Sequence, residues 1–314
     1  MTHSEEVAES APTVTVVVPV YEDLARLKMC LALIAAQDYP AELINVIVVD
    51  NASRTDLTPA LPPGDPRFTL IREMQRGSYA ARNAGLKIAE GEMLAFTDAD
   101  CLPHPTWIST AVAILTEEGH PQAVGGDIHL VFRNGMHPRS GPELYESAHE
   151  FPQRRFVEVD GFAATANLVV SRSVMSRVGP FNAALKSGGD QEWGKRLHAS
   201  GARMVFSARA VVDHPARSSW FGLAKKTVRV ERGISALTVG QQSSEDRRYI
   251  GQQLRIGLGI WRAVWRQDWP ASRGEKAKYA AAQSWVNAFR IAERIRARSS
   301  QRIRSRGLSR SITP

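Results

Sequence analysis

The sequence predicts an α/β protein with a mostly parallel central sheet, helices on both of its faces, and a helical extension at the C-terminal end. Three observations carry this expectation. First, apolar β-branched runs alternate with segments of helical periodicity over the first 100 residues, the rhythm that builds successive βαβ units. Second, those runs are continuously apolar rather than alternating, as strands buried on both faces should be. Third, the pattern after Pro215 is helical to about residue 300 and the charge changes sign there.

In chain order, TVTVVVPV (13–20) is the first strand, and DLARLKMCLALIAA (23–36) is a helix with Leu24, Leu27, Leu31 and Ile34 at offsets of three and four. INVIVVD (44–50) is a second strand, followed by a turn-rich stretch with room for a short helix. FTLIRE (68–73) is a third strand. SYAARNAGLKIAEG (78–91) reads as a helix from Ser78 to Gly91, and EMLAFTD (92–98) is a fourth strand. PTWISTAVAILTEEG (105–119) is a helix with proline at its start, and AVGGDIHLVF (123–132) a strand. Residues 133–160 read as a polar loop region. FAATANLVVSR (162–172) returns to strand, a short helix spans 171–179, a loop and a helix lie within 181–201, and RMVFSARAVVDH (203–214) is the last strand. The expected organisation is a flexible 1–12, a catalytic domain over 13–215, a basic helical extension over 216–300 and a disordered tail over 301–314.

Composition narrows the function classes. The chain has 314 residues, 43% of them hydrophobic, enough for a large core. Cys30 and Cys101 are its only cysteines, too few for a disulfide framework or a zinc-ligand spacing. The N-terminal segment has neither the basic start nor the apolar stretch of a signal peptide, and no run reaches the ~18 apolar residues of a membrane span. The expectation is a cytoplasmic protein. From residue 215 onward 21 Lys and Arg stand against six Asp and Glu, so a net −7 body is joined to a +15 tail in a chain of net +8. Such a tail fits an anionic partner surface, or equally a set of solvated helices.

In an open parallel sheet, ligands bind beyond the C-terminal ends of the strands. The strands here end in Pro19-Val20-Tyr21-Glu22, in Asp50-Asn51-Ala52-Ser53 and in Asp98-Ala99-Asp100. Carboxylates thus gather where a nucleotide would lie. Asp50 suits a base imide N–H, and the Asp98/Asp100 pair suits a metal and a ribose. Two carboxylates this close repel, and a divalent cation resolves the conflict. There is no G-x-G-x-x-G after the first strand and no Walker A loop, so phosphate has to be met by a metal and by basic side chains.

VVVPVYED, VIVVDNAS, ARNAGLKIAEGEMLAFTDADC, TANLVVSR and SGGDQEWGKR, in this order, resemble the family 2 inverting glycosyltransferases, which have the GT-A fold. The resemblance covers roughly residues 13–215. It implies a nucleotide-diphosphate sugar as donor and a divalent metal, Mn²⁺ or Mg²⁺, whose hard character suits carboxylate oxygens. By resemblance, Asp50 contacts the nucleobase, Asp98 the ribose or metal, and Asp100 the metal. Pro19, Tyr21 and Glu22 flank the nucleotide. Arg76 or Arg82 approaches it, and Arg is always charged. Asp190 resembles the catalytic base that takes the proton of the acceptor hydroxyl. The family often has Glu-Asp at this point where this chain has Gly189-Asp190, which leaves Glu192 as the alternative base. His214 resembles a histidine that adds a third metal contact in part of the fold. Thr165, Ala166 and Asn167 resemble the stretch beneath the acceptor side, although Asn167 also suits plain backbone pairing in a buried turn.

The implied activity is transfer of one sugar, with inversion, to a hydroxyl of a glycan or lipid-linked saccharide. Two other activities compete with it. A sugar nucleotidyltransferase normally carries a Gly-rich, Arg/Lys-bearing loop after the first strand, where this chain reads PVYEDLAR. A non-catalytic membrane or nucleic-acid binder built on the tail leaves the ordered acidic motifs unexplained, and no nucleic acid is expected as partner. In the tail, Ile250, Leu254, Leu258, Trp261 and Trp265 form one helical stripe and Arg255, Arg262 and Arg266 another. Either that helix packs on the catalytic domain, or it gives peripheral contact with the inner face of an anionic membrane.

Overall fold

The computed structural model describes residues 11–117, 121–135, 137–237 and 242–310. Eight strands form one sheet in the order β3-β2-β1-β4-β7-β6-β8-β5. They are β1 (Val14–Val20), β2 (Ile44–Asp50), β3 (Phe68–Arg72), β4 (Met93–Phe96), β5 (Leu102–Pro103), β6 (Ala123–Val131), β7 (Leu168–Ser171) and β8 (Met204–Pro215). The first four run parallel, in register Val20↔Asp50 and Asp50↔Arg72, so the ends of β1, β2 and β3 fall level. β7 is antiparallel to β4 and β6, and β5 to β8.

The period of two in a strand explains why the early runs are apolar at nearly every position, Thr15 and the exposed Asn45 apart. Val14, Val16, Val18, Val46, Val48 and Ala95 face one core; Val17, Ile47, Val49, Leu94 and Phe96 face another. Helix α1 (Leu24–Ala35) covers the first core through Leu27, Cys30, Leu31 and Ile34, as its spacing predicts, and α3 (Trp107–Thr116) joins it. On the opposite face lie α2 (Ser78–Leu86), α6 (Arg172–Val178) and α7 (Gly189–Ala199), contributing Tyr79, Ala81, Val174, Met175, Trp193 and Leu197. Both cysteines are buried and free.

Three expectations are corrected. Residues 133–160 hold two helices, α4 (Gly141–His149) and α5 (Gln153–Glu158). The signal for α4 is in the sequence: Ser140 and Glu143 form a reciprocal capping box, with Pro142 in the first turn. The strand expected over 162–172 is confined to β7. Residues 162–167 are instead a buried turn, clamped where Gln153 accepts from the Ala164 N–H at 2.9 Å and donates to the Asn167 carbonyl at 3.1 Å. The tail expected to be disordered from 301 is helical as far as Arg310; residues 1–10 and 311–314 lie outside the described residues.

The chain divides into two compact units. One takes the residues up to Leu130, Phe151–Leu185 and Gly189–Pro215, and so contains nearly the whole sheet. The other takes Val131–Glu150, Lys186–Gly188 and the residues from Ala216 onward. In the second unit α4 packs with α8 (Trp220–Leu237), α9 (Gln242–Arg266) and α10 (Arg273–Arg310) around Leu144, Ile260, Val264, Tyr279, Leu223 and Val286. Its fully buried Glu146 is met by Arg217 Nη1 at 2.9 Å and by Lys226 Nζ at 3.5 Å. No described helix is long and apolar enough to cross a membrane.

Candidate active site

The level ends of β1, β2 and β3 set the first group of predicted residues side by side. Asp50 is buried; one carboxylate oxygen accepts from the Ser53 N–H at 2.8 Å and the other lies 3.5 Å from Arg72 Nη1. Asn51 ties this loop to the next, donating to the carbonyls of Glu73 and Gln75 and accepting from the Gly77 N–H at 2.6 Å. Glu22 sits in the left-handed region at φ 55°, unusual for a residue with a side chain. Its carboxylate is committed to the loop after β2, accepting from the Arg54 N–H at 2.7 Å and the Thr55 hydroxyl at 2.9 Å. Those donors hold its pKa below the ordinary value. Tyr21 is half-exposed, and the Arg76 guanidinium lies 4.8 Å from its ring centre. Pro19 is inside β1, opposite Val49 and buried; it shapes the strand and presents no polar group.

The second group lies after β4. The chain turns at Asp98, whose carbonyl accepts from the Cys101 N–H at 3.0 Å. The Asp98 carboxylate receives a charged hydrogen bond from Arg82, which is itself buried on α2. Asp100 lies 3.9 Å from His214 Nε2 and 3.7 Å from Arg26 Nη1. His214, at the end of β8, is buried against the Phe151 ring, and its Nδ1 faces the Pro215 carbonyl at 3.0 Å. The Pro215 carbonyl can only accept, so Nδ1 donates to it, and Nε2 is the ring nitrogen turned toward Asp100, as second-shell partners arrange for metal-ligating histidines. Asp100, Cys101 and His214 have ligand atoms within 4.8 Å of one another. Burial pushes the Cys101 thiol well up, with Asp98 and Asp100 adding to it, so the carboxylate and the imidazole are the ready donors. A carboxylate–imidazole pair of this kind suits Mn²⁺.

The third group is α7. Asp190 is joined to α2 by Tyr79, whose hydroxyl donates to Asp190 Oδ1 at 3.1 Å and accepts from the Asp190 N–H at 3.3 Å. Burial raises the Asp190 pKa, with Arg82 and the N–H of Gln191 pulling against it. Glu192, two residues on and thus on roughly the opposite side of α7, faces elsewhere. Its carboxylate makes two bonds to Arg196, at 2.7 and 3.0 Å, while the same guanidinium holds the carbonyls of Val178 and Pro180.

The structure also explains the glycine that departs from the family pattern. A Cβ at Gly189 would stand 2.6 Å from the Tyr79 ring, so glycine is what lets the tyrosine reach Asp190. Tyr79 is fixed in turn by Phe181, whose ring centre is 5.9 Å away, and Phe181 packs on Phe96 and Trp193.

Sequence reading missed Tyr79, Arg26, Arg72 and Phe151. Tyr79 alone had a local signal, since it precedes Arg82 by three residues and shares its helix face. Asp98, Arg82, Tyr79 and Asp190 thus form one chain of contacts, the Arg82 guanidinium lying 5.8 Å from the Tyr79 ring centre. Asn167 lies in the core instead of a cleft. It accepts from the Trp107 indole at 2.8 Å and donates to the carbonyls of Asp127 and Ala210.

Comparison with known proteins bears on the family of the chain and on its fold. Residues 15–179 match the model of glycosyl transferase family 2. The chain is 35% identical over 227 residues to glycosyltransferase AglE of Haloferax volcanii, covering 71% of this chain and 73% of that one. It is 26% identical over 231 residues to validoxylamine A glucosyltransferase of Streptomyces hygroscopicus subsp. jinggangensis, covering 62% of this chain and about half (54%) of that longer one. In fold it is similar to mannosyltransferase PcManGT of Pyrobaculum calidifontis, solved with GDP-Man and Mn²⁺, at TM-score 0.55 and 19% identity over 98% of this chain and 82% of that one. It is also similar to residues 1–349 of S. aureus TarS, at TM-score 0.52 and 16% identity over 92% and 91%. With the family model spanning more than half of the chain and AglE matched over most of its length, this protein belongs to glycosyl transferase family 2 and is a glycosyltransferase.

Proposed function

We propose that the protein transfers a sugar from a nucleotide-diphosphate sugar to a hydroxyl of a glycan or lipid-linked saccharide, with inversion, and that Asp190 is the base. The supporting observation is the contact chain Asp98–Arg82–Tyr79–Asp190, which couples the acidic pair expected at the donor to a half-buried carboxylate with a raised pKa. In the reaction the acceptor oxygen attacks the anomeric carbon as its proton passes to Asp190. The bond from that carbon to the diphosphate breaks, and the nucleoside diphosphate leaves with the electron pair.

Asp98, Asp100 and His214 would hold Mn²⁺ or Mg²⁺, which supplies Lewis-acid stabilisation of charge on the leaving diphosphate. Asp50 keeps lone pairs for a base N–H beside its bonds to Ser53 and Arg72. The Tyr21–Arg76 pair, half-exposed at the end of β1, offers a flat cationic surface to the nucleotide. Glu192 fits the base role less well, since Arg196 already occupies its carboxylate.

The second unit supports a membrane-facing acceptor. On α9 the buried positions are Gln253, Ile260 and Val264, whereas Leu254, Leu258, Trp261 and Trp265 are exposed beside the exposed Arg255, Arg262 and Arg266. Apolar and aromatic residues interleaved with arginine suit an anionic interface. Sedimentation with anionic and with zwitterionic vesicles tests this: binding to the anionic set that Leu258→Glu abolishes supports it, and equal indifference to both removes it.

The transfer reading is tested by nucleotide-sugar hydrolysis over a panel of UDP-, GDP- and dTDP-sugars, with Mn²⁺ or with chelator. Metal-dependent release of one nucleotide diphosphate names the donor. No turnover, together with no calorimetric donor binding, would remove this reading.

A further inference from the structure

We propose that His104, His129 and Asp213 form a second metal site, for a borderline transition ion of the Zn²⁺ class, separate from the Asp98/Asp100 centre. The strand order brings them together. β6, β8 and β5 are neighbours in the sheet. His129 lies on β6, Asp213 on β8, and His104 directly follows β5, its N–H bonded to the Val211 carbonyl of β8 at 3.0 Å.

His104 Nε2 lies 3.0 Å and His129 Nδ1 3.9 Å from the same oxygen, Asp213 Oδ1. The three residues offer ligand atoms all within 4.8 Å of one another. Two ligands bonded tetrahedrally to Zn²⁺ at its usual bond lengths stand about 3.3 Å apart, a spacing that the two observed distances bracket. The other ring nitrogen of His129, Nε2, faces Asp127 Oδ2 at 3.2 Å. A carboxylate behind the ring fixes its orientation, the arrangement found around metal-bound histidines. Both rings are partly exposed, so an ion has a path in and water can take a fourth position.

Two imidazoles and one carboxylate favour a different ion from the oxygen-rich donor centre. Side chains alternate along a strand, so Asp213 and the neighbouring His214 serve opposite sides of β8. An ion at the new site would pin the two-residue edge strand β5 to β8 and β6. β5 directly follows the Asp98–Asp100 turn, so occupancy would steady the segment that carries the donor carboxylates.

The test uses the full chain with Asp100→Ala, which disables the donor centre. Co²⁺ is titrated by visible absorption and Zn²⁺ by competition against it. The expected result is one tetrahedral Co²⁺ per chain at micromolar affinity, weakened at least about tenfold by His104→Gln or His129→Gln and about tenfold by Asp127→Asn. Zn²⁺ is also expected to raise the melting temperature of the Asp100→Ala protein but not of the same protein carrying His129→Gln. No saturable binding, or binding indifferent to both histidine substitutions, would overturn the proposal. So would a sulfur-to-cobalt charge-transfer band, which would move the ion to Cys101. Circular dichroism of each variant separates lost ligation from lost folding.

Discussion

Tyr79 and Asp190 are joined twice: the phenol donates to the carboxylate at 3.1 Å and accepts from the same residue's N–H at 3.3 Å. The tyrosine thereby fixes the position of the half-buried acid and favours its charged form. Gly189 makes the approach possible, and the Phe181–Phe96–Trp193 cluster holds the ring from behind.

A pH dependence follows. A base must be ionised, and burial raises the pKa of Asp190, so kcat/KM should fall as pH drops through a limb above the ordinary Asp value of about 3.9. Tyr79→Phe removes a donor to the charged form, which raises the pKa further and moves the limb to higher pH. A pH–rate profile checks this; an unmoved limb would separate Tyr79 from the base.

Glu192→Gln should leave chemistry nearly intact. The Glu192–Arg196 pair is half-buried and spaced four residues apart on α7. Its loss should cost at most about 1 kcal/mol of stability, with kcat within about tenfold of wild type, short of the effect of losing a general base. Urea unfolding and steady-state kinetics on one preparation read both.

His214→Ala should raise the Mn²⁺ concentration needed for half-maximal activity by about tenfold or more, while activity at saturating metal recovers. The reason is that the Nδ1 bond to the Pro215 carbonyl holds Nε2 toward Asp100. A metal titration of the rate checks it, and an unchanged midpoint would make the histidine structural only.

Asn167→Ala should destabilise the fold by about 3 kcal/mol. It leaves the Trp107 indole N–H and the Asp127 and Ala210 carbonyls without their partner in the core. A lower urea midpoint with unchanged KM for donor is expected; a raised KM at full stability would instead place Asn167 at the substrate.

The parallel half of the sheet was legible because its strands are buried on both faces, and Val14–Val20 and Ile44–Asp50 therefore show it residue by residue. Asp50, Asp98 and Asp100 were legible as candidates because they break those runs at the C-terminal edge of the parallel strands. Tyr79 was legible only as a neighbour of Arg82 on one helix face; its bond to Asp190, 111 positions away, is encoded by no local pattern. The turn at 162–167 reads as strand because its residues are buried, but Gln153 and Asn167 satisfy its backbone in place of a neighbouring strand. Helix α4 did carry its signal, Ser140-x-x-Glu143, hidden in a segment of weak apolar periodicity.

The most direct measurement compares donor binding with turnover in Asp190→Asn, with Mn²⁺ present. The account predicts donor affinity within a few-fold of wild type and kcat reduced by about 100- to 10,000-fold. It also predicts stability at neutral pH no lower than wild type. An acid whose pKa is raised in the folded state contributes stability that is fully present at low pH and lost as pH rises through that pKa, and the amide carries no charge to desolvate. Turnover retained in a folded, donor-binding Asp190→Asn protein would contradict the assignment of Asp190 as the base.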